Sequence, residues 1–332
     1  MSAMPVGHVP VLLAEMLRAL KPIDGGVYLD ATFGGGGYAR AILDTAACQV
    51  IGIDRDTTAI ERGQALMAEY PGRVRLIEGR FGDMADLVQD RLDGIVLDIG
   101  VSSYQLDEAA RGFSFQNDGA LDMRMGSEGP TAADAVNLLS EAALIDLIRD
   151  YGEDAAAKQI ARGIVQARAA QPFATTLGLA NLIERAVGGR RGARLHPATQ
   201  TFQALRILVN DELGELGRAL SAAERLLKPG GRLVVVSFHS LEDRMVKQYF
   251  AERAGYTPQT SRHVPDAPAG PPSSFRLHSR KPITPTDGEA AINPRARSAS
   301  LRSGERTDAP AFPPLETPTL AARAWAEWER IG

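Results

Sequence analysis

The stretch VYLDATFGGGGY, residues 27–38, joins a short apolar run ending in Asp30 to four consecutive glycines, Gly34, Gly35, Gly36 and Gly37. A second apolar run, QVIGID at 49–54, ends in Asp54. This pattern predicts a strand, a tight turn, a helix and a second strand. Glycine tolerates positive φ and lacks a Cβ, so a ligand can lie against the turn and the helix N-terminus behind it. Asp54 falls one strand–helix unit later, where a carboxylate can accept hydrogen bonds from both hydroxyls of a ribose. The chain is therefore expected to bind an adenosine-containing molecule. Gly34, Gly36 and Ala39 satisfy Gly-x-Gly-x-x-Ala, which on its own would also suit a nicotinamide dinucleotide. Asp30 discriminates. A carboxylate just ahead of the glycines repels a pyrophosphate, whereas S-adenosylmethionine brings an ammonium and a sulfonium to the same place. The alternative for Asp30 is a strand-end carboxylate that only caps the turn.

The bulk composition bounds the rest. With 332 residues the chain is long enough for two domains, or one large domain with an insertion. Its net charge of −4 argues against wholesale coating of nucleic acid, although local basic patches can still bind RNA. Cys48 is the single cysteine, so no intramolecular disulfide can form, and a reducing cytoplasmic setting fits. No apolar run approaches the ~20 residues needed to span a bilayer. The apolar residues around Val9 to Leu13 lack a cationic leader and have His8 and Glu15 close by, which does not read as a signal peptide.

Strand signals recur at 27–31, 49–54, 74–78 and 95–99, with a clear helical pattern at 57–70. Such alternation predicts a parallel sheet with helices on both faces. From 104 to 199 only helical stretches follow: one capped by Ser140, then 154–170 and 175–187. The α/β rhythm then resumes. Helical spacing runs from Leu205 to Leu227 until Pro229 and its glycines, followed by a strand at 233–236 and a helix at 242–253. Residues 257–274, with five prolines, predict a loop, and a short strand signal returns at 275–283. A Pro-rich tail ends in an amphipathic stretch containing Leu320, Trp325 and Trp328.

Further motifs make the pattern specific: HVPVLL at 8–13, TFGGGGY at 32–38, LDIGVSSYQLD at 97–107, RGFSF at 111–115 and LDMRM at 121–125. HPATQTFQALRILVNDEL at 196–213, SFHSLEDR at 237–244 and NPRARSASLR at 293–302 complete the series. In this order and spacing the chain resembles the RsmH family, also called MraW, over residues 6–303. The resemblance implies a Rossmann-like class I S-adenosylmethionine-dependent methyltransferase sheet with an inserted helical domain. It implies methyl transfer from S-adenosyl-L-methionine to the N4 amine of a cytidine in the decoding region of 16S ribosomal RNA, within the small subunit. The expected division is a discontinuous methyltransferase domain at 1–104 and 200–306, a helical substrate-recognition insertion at 105–199, and an extension at 307–332. Gly36, Gly37 and Tyr38 match the family's glycine-loop contacts, Asp54 its ribose acid, and Phe81 an aromatic contact near the adenine; Asp98 and Gln105 match its remaining cofactor contacts. With Asp30 and Gly35 these form the candidate cofactor site, and no metal is expected. The chain departs from the family at Tyr104 and Ala120, where Pro is usual, and at Ser300, where Lys is common.

The N4 amine is a weak nucleophile, so catalysis should consist of aligning amine, methyl and sulfur, with an acceptor for developing positive charge. Asp98 is the first candidate for that acceptor. His239 is the second, with Ser237 and Ser240 as pocket wall and Glu242 and Asp243 opening the next helix. Asn210 to Glu212 and Asp122 to Arg124 either border the cleft or fix packing. Arg185, Arg190, Arg191, Arg194, Arg276, Arg280, Lys281, Arg295, Arg297 and Arg302 are candidate phosphate contacts. Two other classes stay open on sequence alone: an NAD-dependent dehydrogenase, and a non-catalytic RNA-binding assembly factor. Monomer and homodimer are equally open.

Overall fold

The strand signals condense into a seven-stranded sheet of order β3-β2-β1-β4-β5-β7-β6. Its strands are β1 Val27–Asp30, β2 Gln49–Asp54, β3 Val74–Glu78, β4 Leu92–Asp98, β5 Leu227–Ser237, β6 Phe275–Arg276 and β7 Ser300–Arg306. The computed structural model describes residues 10–102, 105–106, 108–190, 195–256, 271–316 and 320–332. β1 to β5 pair in parallel, whereas β7 runs antiparallel between β5 and β6. Near-continuous apolar runs such as Ile95, Val96 and Leu97, or Val234, Val235 and Val236, are buried along their length, as a sheet covered on both faces requires. From β1 the chain winds outward through β2 to β3, then returns to β4 on the other side of β1. That reversal opens a crevice at the carboxyl ends of β1 and β4.

The chain divides into two compact units, Met1–Gly100 with Gly214–Glu316, and Val101–Leu213 with Thr317–Gly332. The first holds the sheet. The second is helical: Ala132–Leu138, Glu141–Asp150, Ala157–Arg168, Thr176–Ala186, Ala198–Asn210 and Ala322–Trp328. Three of these helices open on side-chain caps, Thr131 with Asp134 in a reciprocal box, Ser140 on Ala143 N–H, and Thr175 on Gly178 N–H. Leu144, Leu147, Ile148, Ile160, Ile164, Leu179 and Ile183 form its buried core.

Four features depart from the sequence expectation. The single helix anticipated from Leu205 to Leu227 is two, Ala198–Asn210 and Glu212–Leu226, separated by Asp211 at φ 49°. Aspartate is among the few residues that enter this left-handed region readily. Pro229 and its glycines end the second helix but do not precede the strand. They lie within β5 as an irregular segment, where the pairing register slips between Leu92 and Gly94. β7 has no counterpart among the strand signals, because SLRSGER shows no apolar alternation and only Leu301 in it is a large apolar residue. Finally, the N-terminal residues form a helix, Leu13–Leu20, that buries Met16 and Leu20.

Candidate active site

Three acids project from the carboxyl edge of the sheet: Asp30 ends β1, Asp54 ends β2 and Asp98 ends β4. Between the first two lies the glycine turn. Gly34 and Gly36 have φ of 51° and 71°, and Gly36 is the N-cap of the helix Gly37–Thr45. Gly34 N–H donates to Asp54 Oδ2 at 2.7 Å, and Asp56 N–H donates to Asp54 Oδ1 at 2.8 Å. Each carboxylate oxygen is thus aimed by one amide and keeps lone pairs for ribose hydroxyls. Burial raises the Asp54 carboxyl above its ordinary range, against the lowering effect of those amides.

The four glycines have separate jobs. A Cβ on Gly36 would approach Phe33 Cζ to 2.7 Å, and one on Gly37 would approach Pro10 Cγ to 2.4 Å. Those two positions are glycine because protein packs against them. Gly35 is exposed at the tip, the part of the turn open to a ligand. Tyr38, expected as a ligand contact, is buried, and its hydroxyl donates to the Val11 carbonyl. It therefore clamps the N-terminal segment over the turn, aided by Leu12 N–H donating to Glu289 Oε1 at 2.7 Å.

Asp30 is 1% exposed; its Oδ2 accepts from Ala39 N–H at 3.2 Å, while Oδ1 has no hydrogen-bond partner among the described residues. Asp98 is anchored by its own N–H, which donates to Thr32 Oγ1 at 2.7 Å, and its Oδ1 is likewise buried and unpartnered. Burial pushes Asp30 up to about 7, only partly opposed by the amides of Thr32 and Ala39. Burial also pushes Asp98 up to about 8, with the charges of Asp30 and Glu242 adding to it. Unpartnered buried carboxylate oxygens are costly unless a cation or donor meets them. The residues present therefore fit a ligand bearing sulfonium and ammonium groups, and they oppose a pyrophosphate. Phe81 lies in the short turn Phe81–Asp83 after β3 and is only partly buried, so its ring can pack against a base.

SFHSLEDR forms a locked junction between β5 and the helix Ser240–Arg253. His239 is that helix's N-cap, its Nδ1 accepting from Glu242 N–H at 3.4 Å. Glu242 is fully buried, and its Oε2 accepts from Phe238 N–H at 2.9 Å and His239 N–H at 3.2 Å. His239 Nε2 lies 3.0 Å from Glu242 Oε1, so both ring nitrogens face the same glutamate. Asp243 is held by Arg302, through Nε at 2.8 Å and Nη2 at 2.9 Å, and by the Ser300 hydroxyl at 2.7 Å. Arg302 thus leaves the set of phosphate contacts, and Ser300 ties β7 to this helix. Arg185, Arg190, Arg276, Arg280, Lys281 and Arg297 are exposed, whereas Arg295 is partly buried.

In the second unit Gln105 closes a turn: Ser102 N–H donates to its Oε1 at 3.0 Å, and its own N–H donates to Ser102 Oγ at 3.3 Å. Asn210 Oδ1 accepts from Met125 N–H at 2.9 Å, and its Nδ2 donates to the Met123 carbonyl at 2.8 Å. With the bidentate Asp122–Arg124 pair, these contacts fix packing of the LDMRM turn. His8, Tyr104, Asp107, Arg191, Arg194 and residues 257–270 lie outside the described residues. Thr32 and the capping role of His239 were not anticipated. His-x-x-Glu at the start of a helix is the available signal for the latter.

The model of the MraW methylase family matches residues 5–307. "Ribosomal RNA small subunit methyltransferase H" of Hyphomonas neptunium is 58% identical over 309 residues, covering 92% of this chain and 90% of its own length. The proteins of the same name from Methylorubrum populi and Methylobacterium nodulans are 56% and 55% identical, covering 96% and 100% of this chain and 93% and 99% of theirs. Among solved structures, a protein described as a putative rRNA-methylase from Clostridium thermocellum aligns over 91% of this chain and 99% of its own, at 12% identity and a TM-score of 0.43.

Proposed function

The chain belongs to the MraW methylase family, a S-adenosylmethionine-dependent methyltransferase of class I sheet architecture, and we propose that it methylates the N4 amine of a cytidine in the decoding region of 16S ribosomal RNA. The observation that carries the cofactor assignment is the pair of buried carboxylate oxygens on Asp30 and Asp98 beside the glycine turn, unpartnered among the described residues. S-adenosylmethionine supplies an activated methyl group. Asp54 receives its ribose, Gly35 allows close approach, Phe81 flanks the adenine, and Asp30 and Asp98 meet positive charge. The small ribosomal subunit, in the cytoplasm, is the substrate particle. Among the described residues no helix is long and apolar enough to cross a membrane. The dehydrogenase and non-catalytic readings lose their support. A dinucleotide would set phosphates against two acids, and a pure binding module has no use for them.

Asp98 is the proposed acceptor at the amine. Its backbone N–H is fixed by Thr32 Oγ1, and it stands two residues beyond Val96, the β4 partner of Asp30. Replacing Asp98 with Ala should abolish N4-methylcytidine formation while donor binding remains measurable. Nucleoside mass spectrometry of 16S RNA from a deletion strain complemented with each form reads this directly. Unchanged N4-methylcytidine in the uncomplemented strain would refute the substrate assignment.

A further inference from the structure

Asp30 and Asp98 end adjacent parallel strands, and each keeps one carboxylate oxygen buried and without a hydrogen-bond partner among the described residues. Among the described residues the charged groups that act on them are acids: Asp54 on Asp30, and Glu242 on Asp98, besides the effect of Asp30 on Asp98. The Tyr38 hydroxyl lies in the field of both but is committed to Val11. The Thr32 and Ala39 amides favour an ionised Asp30, and Phe238 and His239 amides hold Glu242. Two neighbouring carboxylates, each with a buried oxygen and no cation beside it among the described residues, cannot both ionise cheaply, so the pair retains a proton near neutrality.

We propose that Asp30 and Asp98 act as one proton-sharing pair that tells the methyl donor from its demethylated product, losing a proton when the sulfonium arrives and regaining one from the amine during transfer. The inference rests on the methyltransferase reading above. In the transfer the N4 lone pair forms the new N–C bond, and the C–S electron pair goes to sulfur. The proton of the resulting ammonium passes to the ionised carboxylate. One carboxylate and one sulfonium become one carboxylic acid and one thioether, so the net charge of the site is the same before and after the step. The product thioether then faces a protonated pair with no charge to hold it. The next donor expels that proton to solvent.

Isothermal titration of the full-length chain near neutral pH, in two buffers of different ionisation enthalpy, counts protons released by S-adenosylmethionine and by S-adenosylhomocysteine. The donor should release about one proton more than the product, and its affinity relative to the product should rise by up to about tenfold per pH unit between about 6 and 7. Asp30→Asn and Asp98→Asn should each shrink that difference while S-adenosylhomocysteine still binds; a purely structural role would weaken both ligands alike. The wild-type counts decide without either variant. Equal proton release by the two ligands overturns the paired-acid inference and leaves the methyltransferase reading standing. Failure of both ligands to bind overturns that reading and this inference with it.

Discussion

At Gly36 two constraints coincide, a left-handed backbone and a missing Cβ against Phe33, whereas Gly35 next to it is exposed and is not among the positive-φ glycines. Gly36→Ala is therefore expected to cost stability, about 1–2 kcal/mol. Gly35→Ala should leave the melting temperature nearly unchanged but weaken donor binding about tenfold, ~1.4 kcal/mol. Thermal melts and donor titrations of the two variants check this, and equal destabilisation would contradict the division of labour. The acids make a second prediction at this scale. Their carboxyls are raised to about 7 and about 8, so the folded chain binds protons more tightly than the unfolded one. Their contribution to stability is greatest at low pH and is lost as pH climbs through those values. Melts of the ligand-free chain at about pH 6 and about pH 8.5 should differ less in Asp30→Asn than in the parent. Asp30, Asp54 and the glycines were legible because each is tied to a local turn. Thr32 was not, since its partner Asp98 is 66 residues away in sequence.

Among the elements, the junction of β5 with the helix Ser240–Arg253 shows how a sequence signal can be ambiguous. A histidine after an apolar strand suits a catalytic role, yet here His239 serves the helix amides. Losing an N-cap costs about 0.5–2 kcal/mol. His239→Ala should therefore lower stability by that amount, whereas His239→Asn, a strong capping residue, should retain most of it. If methylation follows stability across the two variants, His239 is a cap. Loss of turnover in a fully stable His239→Asn would instead return it to the role of proton acceptor. β7 was illegible for a related reason. Its partners are β5 and β6, and Gly304 is required where a Cβ would meet Phe250 Cε1 at 2.7 Å. A strand that takes its apolar cover from elsewhere carries little pattern of its own. β2 and β3, by contrast, formed at the residues their apolar runs marked.

On the scale of the whole molecule, the chain's last residues return to the helical unit, which the sequence could flag only as an amphipathic stretch with two tryptophans. Trp328 and Ala324 are buried, and Trp325 Nε1–H donates to the Tyr151 hydroxyl. Glu327 accepts from Ser140 N–H at 2.8 Å and from its hydroxyl at 2.7 Å, placing a carboxylate at the N-terminus of Glu141–Asp150, where the helix dipole favours it. Ala321 N–H also donates to Asp150 Oδ2 at 3.1 Å, at the opposite end of that helix. The terminal segment thus braces both ends of one helix inside its own unit. Removing residues 320–332 would uncover the side chains beneath Trp328 and leave Ser140 N–H to water. Burial of a large aromatic is worth ~2–3 kcal/mol, so the truncated chain should melt several degrees lower. Hydrogen exchange should place the loss of protection in Glu141–Asp150, with the strands β1 to β4 unaffected. Uniform loss across both units would show that the segment supports more than the helical unit it packs in.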